Sequence, residues 1–119
     1  MSANRILLVE DDRNTADLLM HVLHSAGYAP DLVSTESAAM QRLTERWYDL
    51  VVADWRLSDG DGLIVVDRAA ALGMKTAILT GYAFAMPPDI ATRHEVWLKP
   101  MRPTELVVAI ERCTEKNGA

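Results

Sequence analysis

Leu50-Val51-Val52-Ala53-Asp54 runs four apolar residues into a carboxylate. Ile6-Leu7-Leu8-Val9 repeats the arrangement, and Glu10-Asp11-Asp12 follows it. Runs this short and this rich in Val, Ile and Leu read as strands buried on both faces, the habit of parallel sheets. Each delivers its carboxylates where the strand stops, so two parallel neighbours would gather several acids at one end of the sheet. At an effective dielectric of ~20, two like charges about 4 Å apart repel by roughly 4 kcal/mol. A cation relieves that repulsion, and hard oxygen donors favour Mg²⁺ or Ca²⁺. For either acidic site alone, the plainer reading is a helix cap at Asp12 or Asn14 and a strand end at Asp54. The two together favour a metal site.

Outward from these runs, strand and helix patterns alternate along the chain. Leu19, Val22, Leu23 and Ala26 recur at i, i+3, i+4 and i+7, an amphipathic helix closed by Gly27. A weaker strand spans Ala29 to Val33, and Ser34 or Thr35 caps a helix presenting Ala39, Leu43 and Trp47. After Asp54 comes a loop dense in turn residues, Ser58-Asp59-Gly60-Asp61-Gly62. Leu63, Val66 and Ala70 mark a third helix ending at Gly73, and strands follow at Lys75 to Thr80 and Val96 to Lys99. Between them Pro87-Pro88 leaves room for one short helix, Asp89 to Arg93, in an otherwise mobile segment from Gly81 to Glu95. The last helix opens at Pro103 and turns Leu106, Ala109, Ile110 and Cys113 inward, while Lys116 to Ala119 is expected to fray. Such alternation with short connections predicts right-handed crossovers and a doubly wound α/β fold, a five-stranded parallel sheet with helices on both faces and a short or irregular fourth helix.

Composition narrows the function. The chain has 119 residues, half of them hydrophobic, enough for one core and one domain, residues 1–119. Its formal net charge of −5, with no basic stripe, disfavours direct nucleic-acid binding. The single cysteine, Cys113, excludes an internal disulfide and reads as a packed thiol. No apolar run approaches a membrane span, and the N-terminus turns acidic too early for a signal peptide. A cytoplasmic location is expected.

Four strands finish in a polar residue: Asp11, Asp54, Thr80 and Lys99. Open parallel sheets bind ligands beyond the carboxyl ends of their strands, where the strand order reverses; in the common order 2-1-3-4-5 that point lies between strands one and three. Acids, one hydroxyl and one ammonium around that rim form a balanced site for a metal and a phosphoryl group.

Leu8-Val9-Glu10-Asp11-Asp12, Asp54 with Asp61-Gly62, Thr80-Gly81 and Lys99-Pro100, in this order and near-usual spacing, resemble the receiver domain of two-component response regulators. Any one of these elements occurs by chance; the set is specific and covers essentially the whole chain. The resemblance implies Asp54 as phosphoacceptor, attacking the phosphohistidine of a sensor kinase or phosphotransfer protein as a carboxylate nucleophile. It implies Mg²⁺ held by Asp11 directly, Glu10 through water, Asp54, and the backbone carbonyl of Arg56. Thr80 would donate its hydroxyl to one phosphoryl oxygen, Lys99 would pair with another, and the Lys99–Pro100 bond would be cis. It further implies a signalling switch that catalyses its own phosphoryl transfer and dephosphorylation rather than a multi-turnover enzyme. With no output domain expected, it would act through a downstream protein target or as a relay intermediate.

The chain departs from the family pattern in instructive places. Arg56 and Tyr82 occupy the two rate-tuning positions, and Ser58 replaces a common loop proline. The aromatic expected three residues before the lysine is Val96, and strand alternation sends the adjacent Trp97 to the opposite face. The switch is therefore expected to work more through the order of the Gly81–Glu95 segment than through an aromatic flip. Other readings fit less well. A dehalogenase-like phosphatase wants an acid where Arg56 stands, and a flavodoxin-like carrier would not place Glu10-Asp11-Asp12 at its phosphate loop. A degenerate receiver serving as a phosphorylation-independent interaction module is the alternative.

Overall fold

The computed structural model describes residues 4–115. The expected frayed end, Lys116 to Ala119, lies outside the described residues. Strands β1 (Arg5–Val9), β2 (Ala29–Val33), β3 (Leu50–Asp54), β4 (Lys75–Thr80) and β5 (Glu95–Leu98) form one parallel sheet in the order β2-β1-β3-β4-β5. Helices α1 (Arg13–Ser25), α2 (Glu36–Glu45), α3 (Gly62–Ala71) and α4 (Ile90–Arg93) lie in the crossovers, and α5 (Pro103–Glu115) follows the last strand. Two apolar clusters lie on opposite faces of the sheet, because successive residues of each strand point opposite ways. Leu7, Val9, Val51 and Ile78 pack with Ala39, Leu43, Val65, Val66 and Ile90 from α2, α3 and α4. Ile6, Leu8, Val52 and Leu79 pack with Leu19, Leu23, Leu106 and Ile110 from α1 and α5. The doubly wound α/β reading holds, including the short fourth helix.

Capping residues set the helix starts. The Asp12 carboxylate accepts from the Thr15 N–H at 2.9 Å and begins α1; Thr35 Oγ1 accepts from the Ala38 N–H at 3.1 Å and begins α2. Gly27 and Gly73, both at φ +90, turn the chain out of α1 and α3 through the left-handed region. Ser58 to Gly62 was expected as a loop dense in turn residues. The loop instead folds a small hairpin, Arg56–Leu57 against Gly60–Asp61.

The structure corrects several sequence expectations. α3 buries Gly62, Val65, Val66 and Ala69, whereas Leu63 is half-buried and Ala70 exposed. Apolar residues fill every position from Leu63 to Val66, so periodicity alone could not set the phase of this helix. α2 ends at Glu45, which leaves Trp47 outside the helix and 52 % exposed. Ala26 is an exposed cap of α1 rather than part of its inner face. α4 begins at Ile90 with Asp89 at its cap position, and a further turn of 3₁₀ helix covers Ala83–Ala85. β5 runs from Glu95 to Leu98, so Lys99 lies just beyond the strand rather than within it.

Candidate functional site

Strand register brings the acids together. Val9 pairs with Ala53, which sets Glu10 beside Asp54 at the carboxyl edge of β1 and β3. Asp54 pairs with Leu79 and Thr80 with Leu98, so Thr80 and Lys99 reach the same rim. One oxygen each from Glu10, Asp11 and Asp54 fall within 4.8 Å of one another. Lys99 Nζ lies 3.1 and 3.2 Å from the two Glu10 oxygens and 3.0 Å from Asp54 Oδ1. The Lys99–Pro100 bond is cis, as the resemblance implied.

The electrostatics follow from burial. Glu10 is 1 % exposed; its burial, then the Asp54 charge, push its carboxyl up to about 7 against the stabilising Lys99 ammonium. Burial works against the Lys99 ammonium too, but the Asp54 and Glu10 carboxylates outweigh it and hold Lys99 above the ordinary lysine value. Glu10, Asp11 and Asp54 beside the Lys99 ammonium form an acidic cluster that resembles a receiver Mg²⁺ site. Asp11 is exposed, with its Oδ2 accepting from the Ser58 N–H at 2.8 Å.

Asp54, Trp55, Arg56, Thr80, Gly81, Tyr82 and Lys99 line a cleft of about 340 Å³. Thr80 is buried, and its Oγ1 accepts from the Tyr82 N–H at 2.9 Å, leaving the hydroxyl proton available to a ligand. The Arg56 guanidinium lies over the Trp55 ring at 4.7 Å and 5.9 Å from the Tyr82 ring centre. It roofs the cleft with contacts worth about 0.5–1 kcal/mol at exposed sites. Val96 packs half-buried against the α2–α3 cluster, and Trp97 is buried among α1 and α5 residues on the other face.

All the side chains singled out from the sequence therefore converge: Glu10, Asp11, Asp54, Thr80 and Lys99. Arg56 enters the hairpin opposite Asp61. Sequence reasoning missed three parts: the Ser58 N–H on Asp11, the contact of Gly62 with the acceptor strand, and a clasp between the hairpin and α2. Gly62 N–H donates to the Trp55 carbonyl at 2.8 Å, and a Cβ at Gly62 would fall 1.9 Å from the Asp54 carbonyl oxygen. The Asp61-Gly62 pair was the only signal of that approach.

The model of the response regulator receiver domain matches residues 6–111. The chain belongs to this family. Receivers are signalling modules rather than conventional enzymes. The chain is 32 % identical over 113 residues to the response regulator receiver protein CpdR of Brucella abortus (strain 2308), covering 91 % of this chain and 94 % of CpdR. It is 38 % identical over 116 residues to the phosphate regulon transcriptional regulatory protein PhoB of Klebsiella pneumoniae, covering 92 % of this chain and 51 % of PhoB. The chain thus spans about half the length of PhoB. A receiver domain from Methanospirillum hungatei JF-1, described as CheY-like, superposes with a TM-score of 0.88 at 25 % identity over 98 % of both chains. Among the described residues, no helix is long and apolar enough to cross a membrane.

Proposed function

We propose that this receiver takes a phosphoryl group on Asp54 from a sensor histidine kinase or a phosphotransfer protein and signals through a downstream protein partner. The observation that carries the reading is the convergence of Glu10, Asp11 and Asp54 oxygens within 4.8 Å, with Lys99 Nζ 3.0 Å from Asp54. An acidic trio with one ammonium suits an anionic nucleophile that must meet an anionic phosphoryl donor. An Asp54 oxygen attacks the phosphorus of a phosphohistidine; the P–O bond forms as the P–N bond breaks, and the electron pair leaves on the imidazole nitrogen. Lys99 pairs with one phosphoryl oxygen and Thr80 donates its hydroxyl proton to another, which offsets the charge brought into the cleft.

Hard oxygen donors at this spacing fit Mg²⁺, which Glu10, Asp11, Asp54 and the Arg56 carbonyl would hold, with water completing the set. When bound, the ion supplies electrostatic screening between acceptor and donor. Asp11 and Asp54 provide the direct carboxylate contacts in this reading, and Glu10 acts from deeper in the fold. One receiver unit over residues 1–119, without direct nucleic-acid contact, is the organisation we propose. The test is labelling with acetyl phosphate and Mg²⁺, followed by mass spectrometry of peptides. One phosphoryl group on the Asp54 peptide, absent from Asp54→Asn, is the expected result. No labelling with intact folding would mean a receiver that works as an unphosphorylated interaction module.

A further inference from the structure

The hairpin that follows Asp54 carries Arg56, whose carbonyl is a proposed metal ligand, and Ser58, whose N–H holds Asp11 at 2.8 Å. Leu57 anchors the hairpin in the α2–α3 cluster, whereas its tip, Ser58, Asp59 and Gly60, is exposed. The exposed tip is held by a reciprocal clasp with the first turn of α2. The Asp59 carboxylate accepts from the Glu36 N–H at 2.7 Å, the Ser37 N–H at 3.3 Å and the Ser37 hydroxyl at 3.4 Å. These bonds, led by the one from Glu36, hold the Asp59 carboxyl below the usual carboxylate range. In return Glu36 Oε1 accepts from the Asp61 N–H at 3.0 Å, on the residue that pairs with Arg56 across the hairpin. Gly60 lets the two elements close: a Cβ there would lie 2.0 Å from Glu36 Oε1.

We propose that Glu36 is a positioning residue for the metal-binding loop, holding Arg56 and Ser58 in place by fixing the Asp61 N–H. The inference rests on the magnesium reading of the site. Glu36 touches no proposed ligand atom; it acts through the backbone of Asp61 and the pairing of Asp61 with Arg56. Groups that orient metal ligands in this indirect way typically change affinity by about 10–100-fold when removed. Glu36 belongs at the lower end, because Asp59 still holds the other half of the clasp.

Mg²⁺ titration of Trp55 fluorescence in the full chain tests this with three variants. Glu36→Ala removes the acceptor and is expected to weaken Mg²⁺ by about tenfold. Glu36→Gln removes the charge but keeps an amide oxygen for the Asp61 N–H, and is expected to restore affinity to within about twofold of the parent. Gly60→Ala displaces the Glu36 carboxylate from the other side and should resemble Glu36→Ala. Amide exchange of Ser58 and Asp61 without metal, referenced to α5 amides, separates a loosened loop from a destabilised fold. Faster exchange confined to the hairpin is the expected result. Unchanged affinity in Glu36→Ala, equal losses in the Gln and Ala variants, or uniform exchange across the molecule would each overturn the positioning role. If the parent protein itself fails to bind Mg²⁺, the magnesium reading falls and the positioning role falls with it.

Discussion

Replacing Gly62 with alanine tests how firmly the acceptor strand is locked to α3. A Cβ at that position would lie 1.9 Å from the Asp54 carbonyl oxygen, 2.8 Å from its carbon and 3.3 Å from the Ala53 Cβ. Ordinary contact begins near 3.4 Å. The shortest approach is therefore too close by about 1.5 Å, and close-packed interiors do not absorb such a shift without strain. β3 cannot retreat, since it is paired with β1 on one side and β4 on the other. α3 must then lift, stretching the 2.8 Å bond from the Gly62 N–H to the Trp55 carbonyl and the 2.8 Å cap from the Leu63 N–H to Asp61. Overpacking costs about 1–3 kcal/mol, and a weakened hydrogen bond adds about 1 kcal/mol. A total of about 2–4 kcal/mol is a large share of the ~5–15 kcal/mol that stabilises a domain. At roughly 3–6 °C per kcal/mol for a chain of this size, Tm should fall by about 6–24 °C. Thermal and urea denaturation followed by circular dichroism read the loss directly, and Mg²⁺ affinity should fall as Asp54 moves. A Tm within about 2 °C of the parent, with unchanged Mg²⁺ affinity, would refute the idea that Gly62 is required by close approach.

Other perturbations separate the roles of neighbouring residues. Asp11→Ala should abolish Mg²⁺ binding in a fluorescence titration while barely changing Tm. Asp12→Ala should do the reverse, since Asp12 holds the Thr15 N–H and hydroxyl at the start of α1 rather than facing the metal cluster. Those bonds also hold the Asp12 carboxyl low, so its contribution is present above pH 3.8 and is lost as pH falls further. Glu10 has the opposite sign: its carboxyl, raised from 4.5 to about 7, favours the fold most below 4.5, and that contribution is lost as pH rises through about 7. Metal-free protein should accordingly lose Tm between about pH 5 and 8, with Mg²⁺ restoring most at the upper end; a flat metal-free profile would contradict this. Far from the cleft, His94 is buried between Thr76 Oγ1 at 2.5 Å and Asp67 Oδ1 at 2.6 Å. His94→Ala opens a cavity and strands the Thr76 hydroxyl, and should cost about 2–4 kcal/mol in urea denaturation without altering Mg²⁺ affinity.

Much of the site was legible because its residues sit at the ends of simple patterns. Leu50 to Ala53 and Ile6 to Val9 read as buried strands, and a carboxylate at each end required neither long-range contact nor side-chain phase to be noticed. Placing those ends side by side needed the strand order, which was borrowed from the common order of open parallel sheets and which the observed order and the register of Val9 with Ala53 bear out. Helix phase was less accessible. In α3 every early residue is apolar, and the inward face is set by Gly62 pressing on Asp54, a contact between elements that local periodicity does not encode. Trp47 misled for a related reason: its spacing fitted α2, but the helix stops at Glu45. The clasp between Glu36 and Asp59 was invisible because Asp-Gly-Asp-Gly reads the same whether the carboxylates face water or a neighbouring helix.

The central claim is that Asp54 accepts phosphate in a Mg²⁺-dependent reaction. Transfer from a radiolabelled phosphohistidine kinase to the purified chain, run with Mg²⁺ and with excess chelator, tests it most directly. Acid-stable, base-labile label that maps to Asp54, disappears in Asp54→Asn and in chelator, and is strongly reduced in Lys99→Ala is the expected result. Label that persists in Asp54→Asn, or that forms equally well without divalent metal, would contradict it.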